Sequence, residues 1–122
     1  MEQEDYLETI YELKKEFGHV RISDIAKKLN LRKPSVTQMM QRLDKDGCVV
    51  YRPYLPLKLT KKGEKIGKDI GEKRRVLEEF FSLLKISNKI REENIHGIEH
   101  SMNKITLTRI KKVIKFLKHK KF

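Results

Sequence analysis

The stretch from Ile22 to Gly47 constrains this chain more than any other. It reads Ile22-Ser-Asp-Ile-Ala-Lys-Lys-Leu29, a break at Asn30-Leu-Arg-Lys33, then Pro34-Ser-Val-Thr-Gln-Met-Met-Gln-Arg-Leu-Asp-Lys-Asp46. Ile25, Ala26 and Leu29 recur at the spacing of one helix face, and Ser23 is the expected N-cap. Pro34 suits the first position of a second helix, where its missing N–H costs nothing. Val36, Met39, Met40 and Leu43 form the apolar stripe of that helix. Ser35, Thr37, Gln38, Gln41, Arg42 and Lys45 fall largely on the other face. Two short helices and a tight turn, with amides, hydroxyls and cations outward, make a helix-turn-helix. Such a face can reach base edges and phosphates in a major groove. An ordinary polar helix on a helical bundle is the alternative at this point.

Charge distribution favours the first reading. The net charge is +12, from 29 basic and 17 acidic residues, and it is segregated. Residues 32–75 carry 13 basic and 5 acidic side chains, and residues 103–122 carry 8 and none. Residues 1–31 and 76–102 are locally acidic. A field concentrated in this way favours a polyanionic partner, with nucleic acid ahead of a membrane surface. Cys48 is the only cysteine, so no intramolecular disulfide can form and a reducing, cytoplasmic setting is expected. In the run Cys48-Val-Val50 it reads as a small buried side chain. No signal peptide is read at the acidic N-terminus, and no apolar run approaches bilayer length. The expectation is a soluble protein with no membrane partner.

Ahead of the helix-turn-helix, residues 4–17 carry a helical period, with Leu7, Ile10, Tyr11 and Phe17 near one face and Asp5, Glu8 and Glu12 on the other. After it, Cys48 to Thr60 is rich in β-branched and aromatic residues and is interrupted by Pro53 and Pro56. That pattern predicts a short two-stranded hairpin, a wing, rather than part of a larger sheet. Arg52 and Lys58 on the wing would be available to phosphates. Thr60 then caps a helix running through Leu84, in which Gly63, Gly67 and Gly71 recur every fourth residue and allow close packing. Ser87 caps a further helix holding Ile90, Ile95, Ile98 and Met102. After Asn103, the positions Ile105, Leu107, Ile110, Val113, Ile114 and Leu117 mark a last amphipathic helix with a basic polar face. The closing residues 118–122 are expected to fray.

Taken together, Glu4-Asp-Tyr-Leu-Glu-Thr-Ile-Tyr11, Ser23-Asp-Ile-Ala26, Pro34-Ser-Val-Thr37, Leu43-Asp-Lys-Asp46, Leu59-Thr-Lys-Lys-Gly63 and Gly97-Ile-Glu-His100 form a pattern. In this order and spacing the chain resembles the metal-dependent transcriptional repressors typified by the diphtheria toxin repressor and the manganese transport regulator. The likeness covers nearly the whole chain and is closest to the shorter manganese-type members, which lack an SH3-like domain. The resemblance implies a mainly α protein with an N-terminal winged helix-turn-helix, a small β-hairpin wing and a C-terminal helical dimerisation domain. It also implies a homodimer on a palindromic double-stranded DNA operator and a divalent metal that promotes binding.

The metal ligands implied by the resemblance are Asp5, Glu8, Glu99 and His100. His96 stands where manganese-type members carry glutamate and iron-type members cysteine. His96, Glu99 and His100 share one helix face, and carboxylate oxygen with imidazole nitrogen suits first-row divalent ions. Manganese or iron is expected, with cobalt, nickel or zinc as alternatives. Arg74 stands where both types carry histidine; a guanidinium has no lone pair to offer, so one of the two metal positions in such sites is altered. Its charge could replace that ion by pairing with Asp5 or Glu8. Glu78 and Glu92 align with an ancillary site of the iron type.

The sequence reading is therefore residues 1–72 for DNA binding and residues 73–122 for dimerisation and metal. Phosphate contacts fall to Lys33, Arg42, Arg52 and Lys58, and base reading to Ser35, Thr37, Gln38 and Gln41. No small-molecule substrate is expected. Two alternatives stay open. One is a metal-independent winged-helix regulator in which Arg74 replaces a metal. The other is a small zinc hydrolase, because His96-Gly-Ile-Glu-His100 also fits the H-x-x-E-H string.

Overall fold

The computed structural model describes residues 3–120. Six helices and one two-stranded sheet follow in the order α1 (Gln3–Phe17), α2 (Ile22–Leu29), α3 (Lys33–Lys45), β1 (Val49–Val50), β2 (Lys58–Leu59), α4 (Lys61–Leu83), α5 (Asn88–Ser101) and α6 (Lys104–Lys118). The chain divides into two compact units between Asp69 and Ile70, a point inside α4. No helix among the described residues is long and apolar enough to cross a membrane. Of the closing residues expected to fray, Lys121 and Phe122 lie outside the described residues, and α6 continues to Lys118.

The first unit is built on α1, the helix-turn-helix and the wing. Its core joins Leu7, Ile10 and Leu13 of α1 to Val20, Ile25, Val36, Met40, Leu43, Val49 and Leu57. Each such side chain, fully removed from water, contributes roughly 1.5–3 kcal/mol before conformational entropy is set against it. The buried face of α1 differs from the expected one. Tyr6 and Leu13 are inside, whereas Phe17, in the final turn, is 60% exposed and Tyr11 only half-buried. Asp5 and Glu8, placed with Glu12 on the face opposite the apolar stripe, are both buried, whereas Glu12 is exposed.

α2 starts two residues earlier than a Ser23 cap would require. Arg21 is the N-cap, with extended backbone, and its N–H donates to Asp24 Oδ2 at 2.8 Å. Asp24 thus satisfies a backbone group at the helix start while its charge favours the positive end of the helix dipole. The turn to α3 is made by Asn30 at φ 55°, the left-handed cap that asparagine tolerates. Arg32 is the N-cap of α3, so Pro34 takes the second helical position rather than the first. In both positions the helix makes no use of the missing N–H.

β1 and β2 pair antiparallel, Val49 with Leu59 and Val50 with Lys58, as the wing pattern predicts. Thr60 caps α4, its hydroxyl accepting the Gly63 N–H at 3.1 Å and donating to the Gly47 carbonyl at 2.6 Å. Gly63 and Gly67 let α4 lie directly on backbone. A Cβ at Gly67 would stand 2.5 Å from the Leu7 carbonyl oxygen, and one at Gly63 would overlap the Cys48 carbonyl. Cys48 itself is buried.

The second unit packs α5 and α6 on the distal part of α4 around Val76, Leu77, Ile95, Met102, Leu107 and Ile114. Ser87 and Asn103 cap α5 and α6 through side-chain oxygens, as expected. The stripe of α6 is narrower than its sequence: Ile105 is 74% exposed, and Val113 and Phe116 also face solvent. Lys111 pairs with Glu72 and Lys118 with Glu79, so part of the basic face of α6 is neutralised by α4.

Candidate nucleic-acid interface and metal centre

The outer face of α3 is polar because Val36, Met40 and Leu43 are consumed by the core, which leaves the intervening positions turned outward. Lys33, Ser35, Gln38, Gln41 and Arg42 are exposed, and Thr37 is half-buried. Arg52 and Lys58 are exposed on the wing. The eight residues expected to meet DNA therefore include seven that are solvent-exposed. They comprise donors and acceptors for base edges, and cations for phosphates.

The wing is held to the recognition helix by a residue not singled out above. Asp44, in the last turn of α3, accepts the Tyr51 backbone N–H at 2.8 Å and pairs with Arg52 Nη1 at 3.1 Å. Arg52 Nη1 also donates to the Tyr51 carbonyl at 2.7 Å, so one of the expected phosphate ligands is pre-positioned rather than loose. At the wing tip Tyr54 adopts φ 68° and is 96% exposed, and its carbonyl accepts from Arg21 Nη1 at 3.3 Å. The only hint in sequence was the position of Asp44 within Leu43-Asp-Lys-Asp46, whose role needs the hairpin folded beside it.

In the second unit, α5 carries His96, Glu99 and His100 on one face. Their ligand atoms all lie within 4.8 Å of one another. Glu99 is completely buried; His96 Nδ1 is 3.7 Å and His100 Nε2 3.6 Å from its Oε1. Ligands roughly 2.1 Å from a shared ion stand roughly 3.0–3.4 Å apart in octahedral or tetrahedral arrangements, so the two separations to Glu99 would need to close by only a few tenths of an ångström to share one ion. Arg74 of α4 reaches the same carboxylate. Its Nε donates to Oε2 at 3.0 Å and its Nη2 to Oε1 at 2.6 Å. The residue expected to stand in for an ion is thus paired with Glu99.

That pairing also weighs against the hydrolase alternative. Glu99 would have to act as general base on a metal-activated water, yet its side chain is fully buried and tied to the permanent cation of Arg74. Glu78 is tied to Arg91 at 3.0 Å, and Glu92 is exposed, 3.4 Å from Asn88 Nδ2. Among the described residues, neither is gathered with a histidine in a group that could hold an ion.

Known proteins resemble the chain along nearly its whole length. The family described as "Iron dependent repressor, N-terminal DNA binding domain" matches residues 1–57, and "Iron dependent repressor, metal binding and dimerisation domain" matches residues 60–121. The HTH-type transcriptional regulator MntR of Geobacillus kaustophilus (strain HTA426) is 41% identical over 113 residues, which cover 93% of this chain and 80% of that protein. Its namesake from Bacillus pumilus (strain SAFR-032) is 40% identical over 113 residues, covering 93% and 78%. Among solved structures, the manganese regulator SloR aligns with a TM-score of 0.78 at 27% identity, over 93% of this chain. The alignment covers 54% of SloR, so the chain spans about half the length of that protein.

Proposed function

The chain belongs to the iron-dependent repressor family of DNA-binding, metal-binding transcriptional regulators, and from that premise we propose that it represses genes of metal homeostasis as a homodimer on a palindromic operator. Residues 1–72 read DNA, and residues 73–122 dimerise and bind metal. Family and relatives are transcriptional regulators rather than enzymes. The exposed polar face of α3 carries the DNA reading, because an ordinary bundle helix has no need of a ladder of amides and hydroxyls flanked by cations. Ser35, Thr37, Gln38 and Gln41 contact base edges, and Lys33, Arg42, Arg52 and Lys58 contact phosphates.

The metal is a divalent first-row ion, manganese or iron, held by His96, Glu99 and His100 together with Asp5 and Glu8. Two observations support this set. The three ligands on α5 are spaced for an ion, and Asp5 and Glu8 are buried carboxylates on a helix whose other inward residues are apolar or aromatic. When bound, the ion supplies charge neutralisation and a fixed geometry for its ligands. His96 puts a neutral nitrogen where relatives of the manganese type place an anionic oxygen, which moves preference toward later ions, including cobalt, nickel and zinc. A metal-independent regulator is the second reading, favoured by the Arg74–Glu99 pair.

Competition binding on a panel of operator variants tests the DNA assignment. With roughly 6–10 phosphates neutralised per dimer, affinity should fall about 10³- to 10⁵-fold between 50 and 200 mM salt. Gln38→Ala should flatten the sequence preference, whereas Lys58→Ala should weaken all sequences alike. Salt-independent binding, or unchanged preference in Gln38→Ala, would contradict docking of α3 in the groove.

A further inference from the structure

Glu99 is where a permanent cation and two imidazoles meet. Arg74 takes both of its oxygens through a two-pronged pair, at 2.6 and 3.0 Å, while His96 Nδ1 and His100 Nε2 each approach Oε1. A carboxylate offers about four lone-pair directions, so the guanidinium uses one on each oxygen and leaves Oε1 able to accept a second positive partner from the histidine side. We propose that Arg74 is a tethered cation standing in for one of the two metal ions of the manganese-type site, so that each subunit takes a single divalent ion, on the His96–His100 side of Glu99. The inference rests on the metal-binding reading above and deepens it.

Three features lead there. Glu99 has no exposure and requires a counter-charge whether or not metal is present; Arg74 supplies one that does not depend on the metal supply of the cell. A guanidinium stays protonated and cannot become a ligand, so it cannot be recruited into a second metal position. Its charge beside Glu99 also raises the cost of placing a second divalent cation nearby. Arg74 therefore acts on the ion through Glu99, as a positioning residue. It keeps the carboxylate in place in the metal-free protein and sets how many ions the site accepts.

Calorimetric titration of the metal-free chain with manganese and with cobalt, in wild type, Arg74→Met and Arg74→His, tests this directly. The expected result is one ion per subunit in wild type, one ion bound at least tenfold more tightly in Arg74→Met, and two ions in Arg74→His. A purely structural arginine would not improve affinity on removal. Two ions in wild type, or an Arg74→Met protein that binds no more tightly, would overturn the role given to Arg74 and leave the metal-binding reading standing. No ion in any of the three proteins would instead overturn the metal-binding reading. A second measurement needs no variant. The Arg74 Nε–H resonance of the unaltered chain should persist, shifted, when zinc is added. Its loss to solvent exchange would show that metal displaces the guanidinium, contrary to the proposal.

Discussion

Asp44, near the end of the recognition helix, accepts the backbone N–H of Tyr51 in the wing at 2.8 Å. The same oxygen pairs with Arg52, so a single carboxylate ties the wing to the last turn of α3. The Arg52 pair is exposed and contributes little by itself. The bond to Tyr51 matters more, because it is part-buried and an unmet backbone donor costs about 1–3 kcal/mol.

Asp44→Ala should therefore lower stability by about 1–2 kcal/mol and weaken DNA binding, with Asp44→Asn much milder because its amide oxygen can still accept. Chemical denaturation of both variants beside wild type provides the check. Equal losses in the two would mean that the charge, and not the accepted bond, holds the wing.

Gly67→Ala offers a second test, of how α4 sits on α1 in the first unit. Alanine raises helix propensity by about 1 kcal/mol at an exposed position. Here its methyl would meet the Leu7 carbonyl, which is backbone and cannot rotate away. Overpacking of this kind costs about 1–3 kcal/mol. A lower melting temperature is expected, and a raised one would show that the helix contact is looser than the structure has it.

Much of this architecture was legible because the signals are local. The helix-turn-helix periodicity, the proline-interrupted wing, and the Thr60, Ser87 and Asn103 caps each depend on a few neighbouring residues. What was missed depends on residues far apart in sequence or on competition between close alternatives. Ser23 looked like the cap of α2, but Asp24 reaches back to the Arg21 N–H and moves the start of the helix. Polarity alone grouped Asp5 and Glu8 with Glu12, and a single helix gives no sign that the first two are buried while the third is exposed. The pairing of Arg74 with Glu99 spans 25 positions, and nothing in either local sequence announces it.

Dimerisation explains apolar surface that a single second unit leaves open. Ile98 is 38% exposed and borders a groove of about 580 Å³ that Leu77, Phe80, Phe81 and Ile110 also line. With a dimerisation domain matched over residues 60–121, the expected occupant is a second copy of the chain. Sedimentation at micromolar concentration should show a dimer with or without metal, and Ile98→Asp should shift it toward monomer by placing a charge in a desolvated contact. An unaltered dimer in Ile98→Asp would locate the interface elsewhere on the unit.

The measurement that bears most directly on metal-dependent repression is operator affinity of the wild-type dimer, titrated at one fixed salt concentration in chelator and again with saturating manganese. Coupling between a metal site and DNA is expected to tighten binding roughly 5- to 150-fold. Calorimetry on the same sample should report one ion per subunit. Identical affinity with and without every divalent ion tried would contradict metal-dependent repression and leave a regulator in which Arg74 serves as the cation paired with Glu99.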